Sequence, residues 1–357
     1  MVDLGFRPGR KRFWFAGIFG LVILYVTVRQ ANITRLLEGL SKLSWCWVML
    51  VASASFLSYF FIALVLYLLL KNTGCQLSFS KTFRISTASC TLNYLLGFAG
   101  ISGVAAKVYL LSRERISPSR TLSISMVHGF LTNTIAIVLI YLGFFSLYSN
   151  HKMRLHEAEI GVVVLILALL LTWITIQIIV KEDFRRKLWQ ISIGTARFIC
   201  AHLGHPEWLS EAKAEAFFQN FDESMKLLMR NSRRMFEPAL YALFDWVFMF
   251  LCLFWSFRAI NYPVTVKVAL VGFSVAIFAS LFSFTPAGIG IMEGSMAGSF
   301  YLLGLDYDRT LLAVFLYRFF YYILPLVISF LLYRRLLSGS QRLYVQVEPL
   351  SSPKEPS

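Results

Sequence analysis

The sequence predicts an all-α polytopic membrane protein: about six full transmembrane helices plus two broken, re-entrant segments in an inverted-topology repeat. Three observations predict it. Of 357 residues, 57% are hydrophobic and 15% charged, against roughly 45–50% and 25% in soluble domains. Apolar runs close to the ~20 residues needed to cross a bilayer recur along the chain. Two further apolar regions, 85–111 and 264–303, are interrupted by glycine clusters. A broken backbone in hydrocarbon must find its hydrogen bonds in protein or water, because lipid offers none.

Residues 1–44 read as an N-terminal anchor and an interfacial helix. Arg7, Arg10, Lys11 and Arg12 precede an apolar run over 13–28, and no small-x-small cleavage pattern follows it, so the run is expected to be retained. Leu36, Leu37 and Leu40 then mark a short amphipathic stretch on the outer surface. Residues 45–147 form a first membrane repeat: a span over 45–70, the re-entrant segment 85–111 and a span over 122–147. A connecting transmembrane helix occupies 148–180.

Residues 181–237 read as a cytoplasmic amphipathic helical linker. Phe184, Leu188, Ile191, Thr195, Phe198 and His202 recur at helical spacing, and a second helix is expected after Ser210 with Phe217, Phe221 and Leu228 on one side. Apolar on one face and basic on the other, such helices lie on a membrane surface. Residues 238–335 form the second repeat: a span over 238–257, the broken segment 264–303, as one re-entrant hairpin or two short crossings, and a span over 311–333. The Ser/Pro-containing tail 336–357 is expected to be disordered.

The net charge of +15 does not point to nucleic acid, because the basic residues sit at the ends of apolar runs. Making 85–111 re-entrant places 24 of the 34 lysines and arginines on one side and 8 on the other, which the positive-inside rule assigns to the cytoplasm and the exterior. The N- and C-termini are then cytoplasmic. In this topology the triplet of 45–70, 85–111 and 122–147 and the triplet of 238–257, 264–303 and 311–333 are inverted copies, a transporter signature. Five scattered cysteines (Cys46, Cys75, Cys90, Cys200 and Cys252) support neither a disulfide framework nor a metal site. His202 and His205 alone do not make a zinc site. With no phosphate-binding Gly-x-x-x-x-Gly-Lys-Ser/Thr run, neither a cofactor nor a metal is expected.

Four ionisable side chains fall inside membrane segments: Lys107, Asp245, Glu293 and Arg318. Each costs about 2.5–3.5 kcal/mol at the bilayer centre, or roughly 10–14 kcal/mol for four facing lipid. That rivals a whole domain's stability of about 5–15 kcal/mol, so they must face the interior, water or one another. Arg318 is either an anion ligand or the structural partner of Asp245, which sits at similar depth in the second repeat. Glu293 follows the break Pro286-Ala287-Gly288-Ile289-Gly290, where Thr285-Pro286 reads as the N-cap and first position of a half-helix. Its carboxylate is either a substrate contact or a group favoured by the helix dipole. Lys107 is either a lipid-phosphate ligand or a side chain snorkelling to the cytoplasm. His128 and Asn133 lie in the span after the first break, and His128 aligns near Arg318 in the repeat.

Pro286-x-Gly288-x-Gly290-x-x-Glu293, followed by Arg318 and Pro325, resembles the C-terminal signature of the flippase-like membrane region of lysylphosphatidylglycerol synthases, the multiple peptide resistance factor family. Asn93, Gly103, Lys107 and Tyr109-Leu110-Leu111 resemble its first motif. Gly97 stands where the family has proline, Val104 replaces an acidic residue, Lys107 replaces arginine, and Val127-His128 occupies the place of an acidic–Arg pair. The resemblance covers nearly the whole chain. It implies a stand-alone integral flippase of a bacterial cytoplasmic (inner) membrane that moves a charged-headgroup lipid, an aminoacyl-phospholipid or a polyprenyl-phosphate-linked sugar. The aminoacyl-transfer domain of the synthases does not follow here, so lysine transfer is not expected and the protein reads as a non-enzyme. The expected substrate contacts are Glu293, Arg318, Lys107, Asp245, His128 and Asn93, around backbone breaks at Gly97, Gly100, Gly103, Pro286, Gly288 and Gly290. Membrane lipids are the expected partners, nucleic acid is not, and an oligomer is compatible with the sequence. Two rival readings are a non-transporting subunit that docks a glycosyltransferase through 181–237, and a membrane-embedded lipid-modifying enzyme.

Overall fold

The computed structural model describes residues 10–96, 101–149, 155–202, 210–230, 232–281 and 285–338. These are helical with no strand among them: α1 Arg10–Arg29, α2 Ile33–Ser41, α3 Trp45–Asn72, α4 Phe79–Leu96, α5 Ile101–Ser112, α6 Pro118–Ser149, α7 Leu155–Val180, α8 Glu182–His202, α9 Glu211–Met229, α10 Phe236–Ala259, α11 Val266–Leu281, α12 Ile291–Leu302, α13 Tyr307–Arg318 and α14 Leu324–Ser338. The protein is an all-α membrane protein. Four helical stretches, Trp45–Asn72, Pro118–Tyr148, Arg233–Ala259 and Tyr307–Leu331, are long and apolar enough to cross a bilayer. They fall on four of the six predicted spans, and α1 and α7 occupy the other two positions.

The centre is the antiparallel pair α3 and α10. Ser44 N–H donates to the Ala259 carbonyl at 2.8 Å where α3 begins and α10 ends, and at the other end Asn72 Nδ2 donates to the Arg234 carbonyl. Ala54, Ala63 and Ala242 on these helices are fully buried. Lipid is as apolar as leucine, so helices in it gain little from hiding apolar area and associate instead through close packing across small residues.

Both glycine-broken regions are hairpins. At the base of α4–α5, Lys81 Nζ and Glu114 Oε2 lie 2.7 Å apart, so the chain leaves where it entered. At the base of α11–α12, Asp306 N–H donates to the Tyr262 hydroxyl at 3.0 Å. The first base lies at the α3 C-terminal end and the second at the α3 N-terminal end, so the two hairpins enter from opposite ends of the central pair. At 1.5 Å per residue, the 12 residues of α5 and of α12 reach only about 18 Å, well short of a ~30 Å hydrocarbon core.

Neighbours match between the halves. Helix α4 packs on α5 and on α14, while α11 packs on α12 and on α6; α5 meets α6 as α12 meets α13. Helix α4 also meets the Pro286–Gly288 turn, as does α1, so the second tip lies against the first hairpin. Between hairpin arms the contact is intimate. A Cβ at Gly103 would stand 2.9 Å from the Asn93 Cβ, and one at Gly272 would fall 2.1 Å from the buried Phe300 ring.

Beside this frame, α7, α8 and α9 are tied by one arginine. Arg185 Nε donates to Asp222 Oδ1 at 2.8 Å, and its Nη1 donates to the Ile178 and Ile179 carbonyls at 3.0 Å, closing the C-terminus of α7. The helix expected after Ser210 is α9, with Ser210 as its N-cap. Its buried face is Phe218, Asp222, Met225 and Leu228, with Phe217 only partly covered, because α9 packs on α6, where Ser123 Oγ donates to the Phe221 carbonyl. It is therefore fastened to the helix bundle as well as amphipathic.

Candidate functional site at the hairpin tips

The second tip is built from three residues with positive φ within four positions. Ala287, Gly288 and Gly290 have φ of 57°, 63° and 82°, and a left-handed backbone at a residue with a Cβ is a strained position held by its surroundings. What holds it is Arg318. Its Nη2 donates to the Ala287 carbonyl at 2.8 Å, its Nε donates to Glu293 Oε1 at 2.7 Å, and its guanidinium lies 4.5 Å from the Tyr322 ring centre. Glu293 in turn accepts the Gly290 N–H at 2.8 Å on its other oxygen. Both charged residues are about 5% exposed. The carboxylate therefore does two things at once, capping α12 and neutralising a buried arginine.

This corrects two expectations. Arg318 pairs with Glu293, not with Asp245, because the tip brings Glu293 over α13 while Asp245 turns toward α3. Asp245 accepts a short hydrogen bond from the Ser58 hydroxyl, and Ser58 also meets the Tyr321 hydroxyl at 3.0 Å. The half-helix N-cap is Gly290, not Thr285. Thr285-Pro286 instead opens a separate 3-10 turn, Pro286–Gly288, because Gly288 and Gly290 reverse the chain before α12 can start.

Between α13 and α14 the helix widens into a π turn, Phe319–Ile323. Pro325 contributes to it: lacking an N–H, proline leaves the Tyr321 carbonyl, four residues earlier, without its helical donor, and the Leu324 N–H reaches the Phe319 carbonyl instead of that of Phe320. The Tyr321 and Phe320 carbonyls accept instead from Tyr59 Oη at 3.0 Å and Ser55 Oγ at 2.7 Å on α3. The wider turn also places Tyr321 and Tyr322 against Tyr94 of the first hairpin, with ring centres 6.1 and 4.8 Å away.

In the first hairpin, Asn93 Oδ1 accepts from Ser102 Oγ at 3.1 Å and from Gly103 N–H at 3.3 Å, so Asn93 fastens α5 to α4. Gly97 and Gly100 lie outside the described residues. Lys107 is half-buried and turns inward, its Nζ 3.4 Å from His128 Nδ1 on α6. Among the described residues no carboxylate lies within ion-pair distance of it. His128 is buried, and its Nε2 and the Ser125 hydroxyl one turn earlier have no hydrogen-bond partner among the described residues. His128 stands ten residues into α6 and Arg318 eleven into α13, each about 15–17 Å from its own end of the bundle, near mid-depth in a ~30 Å core.

The structure thus brings together Glu293, Arg318, Pro286, Gly288 and Gly290 at one tip and Lys107 with His128 behind the other, and gives Asp245 and Asn93 to helix-to-helix bonds. Sequence reasoning missed the Ser55, Ser58 and Tyr59 row on α3 and the Tyr94, Tyr321 and Tyr322 cluster. Pro325 was the signal for the first, since it obliges a neighbouring helix to supply hydroxyls.

The fold and site define a multi-pass helical membrane protein in which the Pro286–Gly288 turn of the second hairpin lies against α4 of the first. The chain belongs to the family described as the lysylphosphatidylglycerol synthase TM region, whose model matches residues 13–329. It is similar to a phosphatidylglycerol lysyltransferase of Staphylococcus haemolyticus, 22% identical over 341 residues, which cover 94% of this chain and 35% of that protein. The chain thus spans about a third of that relative's length.

Proposed function

We propose that the protein carries a lipid with an anionic or aminoacylated headgroup across a bacterial cytoplasmic membrane, acting as a translocase and not as an enzyme. In this reading α3–α6 and α10–α14 are an inverted-topology repeat with re-entrant hairpins and both termini in the cytoplasm. The observation that carries it is Lys107, an amine turned into the bundle with no carboxylate within ion-pair distance among the described residues. A cation there is costly until an anion joins it, and a lipid phosphate entering between the hairpins supplies one. The buried, unpartnered His128 Nε2 and Ser125 Oγ offer further polar contacts beside it. The relative's name supports phosphatidylglycerol, or its lysyl ester, as the first lipids to try.

Mechanically, the headgroup crosses along the polar line from Lys107 and His128 to Arg318 while its acyl chains stay in the bilayer. Arg318 can release Glu293 for a lipid phosphate only if Glu293 keeps its Gly290 N–H, which the geometry allows because the two bonds use different oxygens. The test is reconstitution in liposomes with fluorescent phosphatidylglycerol, lysyl-phosphatidylglycerol and a polyprenyl-phosphate sugar. The wild type should accelerate transbilayer exchange of at least one. Loss of a hydrogen bond to a charged group, worth about 1.5–3 kcal/mol, should slow Lys107→Gln by about ten- to a hundredfold. Exchange no faster than in empty liposomes for all three lipids, or an undiminished rate in Lys107→Gln, overturns the reading.

A further inference from the structure

At the base of the first hairpin, on the side of the bundle away from the second base, a cleft of about 450 Å³ opens between Cys75–Ser78, Lys81, Glu114–Ile116 and Arg120. None of this belongs to the hairpin tips. Its chemistry is that of an anion receptor. Lys81 is paired with Glu114 at 2.7 Å, but among the described residues neither Arg115 nor Arg120 has a carboxylate within ion-pair distance, which leaves two positive charges on the wall. Arg120 Nε is fully buried with no hydrogen-bond partner there, while its Nη1 reaches only the Cys75 sulfur, at 3.6 Å. A guanidinium presents its N–H groups as a planar fork suited to phosphate oxygens.

Two helix starts border the same cleft. Ser78 and Lys81 lie at the start of α4, and Arg120 lies in the first turn of α6, so the positive ends of two helix dipoles add to the charge on this wall. Arg115 is held in a left-handed conformation, φ 62°, in the turn joining α5 to α6. That conformation is uncommon for a residue with a long side chain.

We propose that this cleft binds a phosphate-bearing anion, gripped by Arg115 and Arg120. The cleft lies where a lipid-facing hairpin meets the end of the bundle. The same phosphate chemistry can therefore arrive on an anionic phospholipid of the adjacent leaflet or in solution, and the experiment separates these.

Cys75 lines the cleft and Cys46 is exposed at the opposite end of α3, which gives a reporter and a reference in one chain. The full-length protein is placed in nanodiscs of phosphatidylcholine, with and without inorganic phosphate, and in nanodiscs containing phosphatidylglycerol without it. N-ethylmaleimide modification of each cysteine is followed by peptide mass spectrometry. Occupancy should slow Cys75 by about tenfold once the anion exceeds its Kd tenfold, with Cys46 unchanged. Protection by phosphatidylglycerol alone assigns the site to lipid, by inorganic phosphate alone to a soluble compound, and by both to the phosphate group itself. The double substitution Arg115→Asn and Arg120→Gln should abolish protection, and Arg115→Asn alone, at an exposed turn position suited to asparagine, should weaken it. No protection under any condition, or protection unchanged in Arg115→Asn and in the double variant, overturns the proposal. The outcome is independent of the liposome assay, since neither Lys107 nor Arg318 takes part.

Discussion

In the α11–α12 hairpin the Glu293 carboxylate meets the Arg318 guanidinium at 2.7 Å, whereas in the α4–α5 hairpin the Lys107 amine meets only the imidazole of His128, at 3.4 Å, among the described residues. The plan of the two is the same: two helical arms packed on each other and a base closed by one hydrogen bond. Their electrostatics are opposite. One hairpin settles its charge internally and uses it to hold a strained tip, while in the other the cation has no carboxylate within ion-pair distance among the described residues. Matched backbones therefore need not share a role.

The largest effect should come from breaking the clasp. Glu293→Gln leaves Arg318 buried and unpaired, which costs about 3–5 kcal/mol, and the thermal midpoint in detergent, followed by tryptophan fluorescence, should fall accordingly. Lys107→Gln removes a charge that has no acidic partner to lose, so its midpoint should stay within about 0.5 kcal/mol of wild type. Equal losses from the two substitutions would dissolve the distinction between the hairpins.

Next come the glycines that let the arms touch. Gly272→Ala drives a Cβ into Phe300, a ring with no exposed surface and therefore nowhere to go, and overpacking of that kind costs typically about 1–3 kcal/mol. Gly103→Ala presses on the half-buried Asn93 and on the Ser89 carbonyl at 3.2 Å, where a side chain can give slightly. The second hairpin should thus lose more than the first, and the reverse order in paired unfolding measurements would mean that the Asn93 clasp is the stiffer one.

How much of this was legible in the sequence follows from the same residues. Hydropathy and the glycine cluster at Pro286–Gly290 disclosed the helices and the break before α12, because a bilayer allows few other readings of such runs. Cost arguments disclosed that Lys107, Asp245, Glu293 and Arg318 face inward. Partner choice was not legible. Whether Arg318 meets Asp245 or Glu293 depends on the rotation of α10 about its own axis and on how far the tip folds back, neither of which leaves a trace in periodicity. The Arg185–Asp222 lock was hidden for a similar reason: 37 residues separate its partners, and in a polar segment each reads as one more solvated charge.

That lock offers a second test of the clasp principle. Burial raises the Asp222 pKa, but hydrogen bonds from Lys226 and Arg185 outweigh it and hold the carboxyl below its ordinary value. A depressed folded pKa means stability that is complete above the unfolded value of about 3.9 and is lost as pH falls through the lower folded one. Hydrogen exchange across α8 and α9 should therefore be flat from pH 7 to about 5 and quicken, beyond its intrinsic pH dependence, only below about 4. Asp222→Asn should quicken it at neutral pH, by a loss of about 1.5–3 kcal/mol.

The smallest effect concerns the π turn that sets Tyr321 and Tyr322 against the first hairpin. Ser55 stabilises it by donating to the Phe320 carbonyl at 2.7 Å, a bond worth about 1 kcal/mol net, so Ser55→Ala should lower stability by about that much. If Pro325 is the reason that carbonyl needs Ser55, then Pro325→Ala, by restoring a backbone N–H, lets the helix regain its regular ladder. Ser55→Ala made on that background should cost measurably less than on the wild type. A double-mutant cycle that comes out additive would detach the π turn from Pro325. The meeting of the tyrosines would then rest on the packing of α14 against α4 and not on the proline.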